Sequence, residues 1–452
     1  MLKKYTTTLV ASLCLFGAIS LSSCTQSQDY KIEIFFFTKT FNTWADNYIK
    51  NACEEFSKTN KDGIKVTNRM FYSFADYQTA IQTAEENGYP PELRLMTYAS
   101  LPNEVIKGSL RSVGEYLSEG ELNQFYDSAI ENVKVKDDIY MFPWYTEPSA
   151  VMYYRKDILT SNGINVPTTV NELYSACEKL KPTLDIIQYP FAMAVTQGDC
   201  AGFTHGLQYN YTNGLLLNDE WTEHRLDHEG FEELAEFYYN MANRQYIPKA
   251  DITSDGYANM AVSLCREKPL SVMALSGSWA ISELYNSYPE YVDKIGVAPV
   301  PTLEKNASRT SACNGGWGFG ISSSASDEAA LAAAKFVKWL SLDDVKNSSE
   351  YFKIEHLAKY PASKTVTEYL KSQDDLGIDP TWLTTVENIS ANAIREPLYS
   401  IDISYAYGYL LQSMVLNKEN KTFDEIFPGA LQTAKNKINK IISKDDFVNP
   451  YL

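Results

Sequence analysis

What most restricts the fold is an alternation of two hydrophobic periods over Ile32 to Met96. Ile32-Glu33-Ile34-Phe35-Phe36-Phe37 is apolar at nearly every position and bounded by polar residues, the pattern of a buried strand. Trp44, Tyr48, Ala52 and Phe56 then recur every four residues, as one helix face does. Asn42 or Thr43 can cap that helix, and Lys61-Asp62-Gly63 ends it. Ile64-Lys65-Val66 reads as a second strand, Tyr77 to Glu86 as a second helix, and Leu93-Arg94-Leu95-Met96 as a third strand. Strand, helix, strand, helix, strand predicts a parallel sheet with helices on both faces.

The alternation returns downstream. Ala150 to Tyr154, Phe191 to Val195, Leu270 to Met273 and Val297 to Pro301 read as strands, with helices over Val170 to Leu180 and about Glu229 to Ala242. The chain closes on helices, the last with Leu431, Ala434, Ile438, Ile441 and Ile442 in one apolar stripe. The length of 452 residues favours two or three domains, and no repeat or low-complexity tract intervenes. Two α/β lobes are expected.

The first 23 residues follow a different logic. Lys3 and Lys4 precede an apolar run from about Leu9 to Leu21, and small residues follow. This is the order of a secretory signal peptide, with a run too short to span a bilayer, which needs about 20 apolar residues. Leu21-Ser22-Ser23-Cys24 then resembles the bacterial lipobox, whose Cys is acylated and becomes the new N-terminus. Residues 24–30 would be a lipidated polar tether reaching only about 20 Å, so the folded body would stay close to the membrane. Cleavage moves the net charge from −17 to −19 by removing Lys3 and Lys4. Such acidity argues against nucleic acid, whose phosphates demand clustered Lys and Arg. Cys53, Cys177, Cys200, Cys265 and Cys313 are scattered without a CxxC pair, so they read chiefly as small buried apolar residues, with room for one bridge.

The ordered landmarks are the lipobox, IEIFFF with its helix and GIKV, DYQTAIQTAEENGYPPELRLM, DIYMFPWYTEPSAVMYYRKDIL and GINVPTTVNEL. LSGSWAI, KIGVAPVPTL, NGGWGFGISSSASDEAALAAAKFVKWL and FDEIFPGALQTAKNKINKII follow. In this order they resemble the extracellular solute-binding proteins of ABC importers, specifically the sugar-binding group that includes maltose-binding protein. The resemblance implies an α/β, two-lobed periplasmic-binding-protein-like fold of type II, with ligand trapped between lobes by hinge closure. The N-terminal lobe would comprise residues 31–141 and 299–354, and the C-terminal lobe residues 142–298 and 355–452. It further implies an extracytoplasmic, membrane-anchored monomer that hands a small ligand, expected to be a carbohydrate, to permease subunits. Neither catalysis nor a cofactor is implied.

A sugar presents C–H faces and hydroxyl edges, so its site combines flat aromatic rings with a few placed polar groups. Trp144 and Tyr145 stand where the first lobe should cross to the second, and the resemblance puts a ligand-binding carboxylate at Glu147; packing at the hinge is the alternative for all three. Trp279 in Gly277-Ser278-Trp279 matches the family's Gly-x-Trp and could stack on a ring or belong to the core. Asn314-Gly315-Gly316-Trp317 opens a glycine-rich strand along which backbone and the Trp317 ring can approach a ligand. By the same resemblance Thr38 and Lys39 touch ligand at the end of the first strand, where crevices form. Tyr98 and Tyr405 are further candidates, with Tyr407 beside them. His224 and His228, four apart, could share a helix face as metal ligands, but Asp227 before Glu229 reads better as a helix start, and no metal is expected. A surface glycosidase using a carboxylate pair such as Glu147 with Asp76, and a binding protein for a peptide or organic anion, are the other classes this sequence admits.

Overall fold

The computed structural model describes residues 30–198, 204–248, 257–305, 307, 310–399, 401–417, 421–445 and 447–451. The leader, Cys24, the tether through Asp29, and Cys200 lie outside them. The expected opening alternation is present as β1 (Ile32–Lys39), α1 (Thr43–Thr59), β2 (Ile64–Phe71), α2 (Phe74–Glu86) and β3 (Leu93–Thr97). Then come β4 (Phe142–Pro148), β5 (Val151–Arg155), α3 (Val170–Leu180), β6 (Tyr189–Ala192), α4 (Gly230–Asn243), β7 (Ser271–Ser276), β8 (Ile295–Ala298) and β9 (Cys313–Ile321). The remainder holds α5 (Asp327–Lys338), α6 (Val345–Ile354), β10 (Tyr360–Pro361), α7 (Lys364–Lys371), α8 (Pro380–Ala391), β11 (Ile394–Arg395), α9 (Ile401–Leu416) and α10 (Phe423–Ile442).

Two sheets carry two lobes. The first runs β10-β4-β9-β3-β1-β2, with β11 also paired to β9; the second runs β8-β5-β7-β6. In the first, β1 is parallel to β2 and β3, while β9 runs antiparallel to β3 and to β4. The carboxyl ends of β1, β3 and β4 and the start of β9 therefore share one edge. In the second, Val151 at the start of β5 faces Ser276 at the end of β7, and Met152 faces Ala298 at the end of β8. The chain thus leaves one sheet and enters the other across the same gap, where crevices of open α/β sheets lie.

Each sheet has its own hydrophobic core. Phe36 packs its ring against Phe319 of β9 and Phe336 of α5, at 5.9 and 5.8 Å between centroids. β1 is not buried on both faces throughout: Ile34 and Phe36 are buried, but Phe35 is exposed under the Arg69 guanidinium. In α1, Asn42 caps through the Ala45 N–H as expected. Its buried face is Ala45, Ile49, Ala52, Cys53 and Phe56, with Trp44 and Tyr48 only partly covered at the flank. The inner stripe is set by small and aliphatic residues because the helix lies close to the sheet.

Three segments pack differently from the expected division. Phe142–Pro148, expected to open the second lobe, is a central strand of the first sheet because it pairs with β9 along its length. Val300 and Ala312 lie in the second core, not the first. Leu357, Ala362, Val366 and Leu370 lie in the first core, not the second, carried there by α6, β10 and α7.

Cys53, Cys177, Cys265 and Cys313 are buried free thiols, each raised by its burial. His228 sits at a helix start. Its Nδ1 accepts the Gly230 N–H at the start of α4, at 3.1 Å, and Asp227 pairs with Lys435.

Candidate functional site

The shared edge of the first sheet gathers Lys39 from β1, Glu147 from β4 and the glycine-rich start of β9. Glu147 stands directly across from Gly315 in the β4–β9 pairing. Two residues along, Trp317 donates its indole Nε1–H to Glu147 Oε1 at 3.3 Å. The carboxylate is 9 % exposed, and its second oxygen, Oε2, has no hydrogen-bond partner among the described residues. Burial raises its pKa; Lys359 and Lys39 pull it down, while Glu355 pushes it up. A buried acceptor without a donor costs about 1–3 kcal/mol, more when charged, so this oxygen is poised to accept a hydrogen bond from a guest.

Aromatic rings pack on the indole that donates to the carboxylate. Phe41 meets Trp317 edge to face at 4.8 Å, and Phe74 meets it edge to face at 6.5 Å. The Lys39 ammonium lies 4.9 Å from the Phe41 centroid and 6.0 Å from that of Trp317. Its own burial lowers the Lys39 pKa, against the pull of Glu147. Beside it, Asp46 accepts the Phe41 N–H at 2.9 Å, with its carboxyl raised by burial.

A second group comes from the segment that joins α6 to β10. Glu355 and Lys359 form a buried ion pair; Asn42 donates to Glu355 Oε1 at 3.0 Å, and the Lys359 ammonium lies over the rings of Tyr145 and Tyr351. Between them His356 and Leu357 take left-handed conformations, φ +48° and +53°, which end the helix and turn Lys359 back on Glu355. The His356 ring stacks on Tyr285 at 4.8 Å. Ser278, next to Trp279, donates its N–H to Pro148 O and its hydroxyl to Ala358 O, tying the second lobe to both crossings.

Several expected site residues take structural positions instead. Trp144 and Tyr145 pack into the first core, stacked on Tyr351 at 4.3 and 5.8 Å, because the strand that carries them is central in the sheet. Tyr98 is buried too: a Cβ at Gly316 would come within 2.3 Å of its ring, so Gly316 makes room for this tyrosine. Thr38 is fully buried and accepts from Asn68 Nδ2 at 3.3 Å. The Asn314 carboxamide donates to Ser390 O at the end of α8 and accepts from its hydroxyl. Tyr407 is buried against His205, at 5.6 Å. Asp76 is exposed at the start of α2, where the Ser73 hydroxyl donates to it, rather than paired with Glu147.

Two others keep part of their surface exposed. Trp279 is partly exposed, its ring lying across Gly277 beside the crossings. Tyr405 is 39 % exposed on α9, and Gln197 donates to its carbonyl at 2.8 Å. Glu147, Lys39, Gly315 and Trp317 come together. Sequence reasoning missed Phe41, Phe74, Glu355 and Lys359 as members of this group. Only Glu355 and Lys359 left a signal, their i,i+4 spacing, which reads as an ordinary surface helix pair.

A bacterial extracellular solute-binding protein family matches residues 51–377. The maltotriose-binding protein of Pyrococcus abyssi is 24% identical over 271 residues, 60% of this chain and 55% of that protein. The osmoprotective compounds-binding protein GgtB of Synechocystis sp. is 19% identical over 261 residues, 55% and 59% respectively. The chain thus spans under two thirds of the length of these two curated relatives. A solute-binding protein of an ABC transporter from Thermotoga lettingae, solved with α-D-tagatose, superposes with a TM-score of 0.72 at 22% identity, covering 91% of this chain and 100% of that one. At such identity the likeness concerns the fold, that of two lobes built on two sheets.

Proposed function

The chain belongs to the bacterial extracellular solute-binding proteins, and from that membership we propose that it captures a mono- or oligosaccharide between its lobes for an ABC importer. The observation that carries this reading is the buried Glu147 carboxylate with one oxygen unpartnered among the described residues, held by Trp317, whose ring packs on Phe41. A sugar supplies what that arrangement lacks: a hydroxyl to satisfy Oε2 and C–H faces to lie on rings. Lys39 offers a donor to ring or linkage oxygens. Trp279 from the second lobe would reach the ligand when the gap narrows, so closure would be favoured by contacts made only in the closed form.

The maltotriose of the Pyrococcus protein and the tagatose of the Thermotoga protein support a carbohydrate. Delivery to permease subunits, an extracytoplasmic position and an acyl anchor on Cys24 belong to the same reading and rest on the family and the leader sequence. No group in the site requires a nucleophile, a metal or a cofactor for this task. Isothermal titration against a panel of mono- and oligosaccharides tests it. Heat with at least one carbohydrate is expected, and silence from all of them while another solute binds would remove the sugar.

A further inference from the structure

Glu396 lies just beyond β11 and takes no part in the sugar contacts proposed for Glu147, Trp317 and Lys39; a role for it rests on that carbohydrate function. Its N–H donates to Asn314 O at 3.1 Å, fixing the residue alongside the start of β9. Its carboxyl then fills the space that a side chain at position 315 would take: a Cβ on Gly315 would come 2.9 Å from Glu396 Oε2. Because Gly315 is the direct cross-strand neighbour of Glu147, the two carboxyls stand side by side as a cross-strand pair does.

Like charges so placed repel, and among the described residues no cation separates them. Arg395, the adjacent residue, donates to Glu131 O on the other side. Lys359 pairs with Glu355 and also draws on Glu147, and Lys39 is shared between Glu147 and Asp46. Four carboxyls, Asp46, Glu147, Glu355 and Glu396, therefore face two ammonium groups. Burial and the neighbouring Glu147 charge raise the Glu396 carboxyl to about 7. Glu396 forms no ion pair among the described residues, and Glu147 Oε2 has no donor there.

We propose that the crevice contains a cation subsite, in which Glu147 Oε2 and the Glu396 carboxyl, held together across Gly315, receive the protonated amine of an amino-sugar unit. An ammonium carries three donors and one positive charge, so it satisfies the orphaned oxygen and relieves the repulsion together. A hydroxyl satisfies the oxygen but leaves the excess charge. Charge-assisted hydrogen bonds are the stronger class, so the subsite distinguishes an amine from its N-acetyl counterpart, which bears no charge.

The test is titration of the full chain in detergent, near neutral pH, with glucosamine disaccharide and trisaccharide, with their N-acetylated forms and with malto-oligosaccharides of equal length. The free-amine oligomer is expected to bind at least about tenfold more tightly than the N-acetylated one. In Glu396→Gln that ratio should collapse toward one, and Gly315→Ala, which displaces the carboxyl, should act in the same direction. Thermal melts of both variants confirm that they fold. Equal or tighter binding of neutral oligomers, an undiminished ratio in Glu396→Gln, or no binding of the amine oligomers overturns the subsite. If neutral sugars alone bind, the carbohydrate reading stands and only the subsite falls; if no carbohydrate binds, both fall.

Discussion

Glu147 shows how little of a site one residue's identity conveys. Its neighbours in sequence, Trp144 and Tyr145, carry the aromatic character expected of a sugar site, yet they face the core. The ring that bonds Glu147, Trp317, and the two that pack on it, Phe41 and Phe74, come from three distant parts of the chain. The Glu147→Gln variant should lose about 1.5–3 kcal/mol of affinity for the bound glycan, the worth of a hydrogen bond to a charged group. Titration calorimetry reads this directly. The melting temperature should not fall, because the variant removes a buried charge. Glu396 gives a pH signature. Its carboxyl is raised to about 7 in the fold, so between pH 5 and 7 the folded protein holds a proton that the unfolded chain has released. Stability contributed by this group is therefore present at acid pH and lost as pH rises through about 7. Glu396→Gln should abolish that slope and gain roughly 2 kcal/mol over the parent at pH 8, where the parent carboxyl is ionised. Urea titrations at pH 5 and pH 8 measure both quantities.

At the scale of elements, local periodicity was informative wherever one element packs within its own lobe. β1, α1, β2, α2 and β3 are legible because each buries a face whose period is read from its own residues. The miss in α1, where Ala45 and Ile49 replace Trp44 and Tyr48 on the inner face, reflects a preference for large residues over the small ones that let a helix approach a sheet. Crossing segments are illegible for a different reason: their partners lie far away in sequence. Nothing in Phe142–Pro148 reveals that β9 will pair with it. Nothing in Glu355–Lys359 reveals that two left-handed residues will fold an apparent surface pair inward. Burial makes this pair sensitive to halving. Lys359→Met should cost about 3–5 kcal/mol by stranding the Glu355 carboxylate, and adding Glu355→Gln should restore part of that loss. Chemical denaturation of the single and double variants compares the two, and equal stability would deny the pairing its importance.

On the scale of the whole molecule, two sheets face one gap, and several passages of chain join them. A ligand that binds both walls should compact the particle, and small-angle scattering should record a smaller radius of gyration with saturating glycan than without it. If Cys24 anchors the chain, Cys24→Ala should move the protein from the membrane fraction to the soluble fraction with its glycan affinity unchanged; fractionation and calorimetry read the two halves of that statement. The order of the strands has one more consequence. The first sheet has β9 between β3 and β4, yet β9 begins at Cys313, after the entire second sheet has been made. The first lobe therefore cannot be finished early during synthesis: it waits for a strand some 160 residues after β4. Pairings so distant are slow to form. A growing chain is thereby kept open and threadable through the period in which an export channel would have to take it.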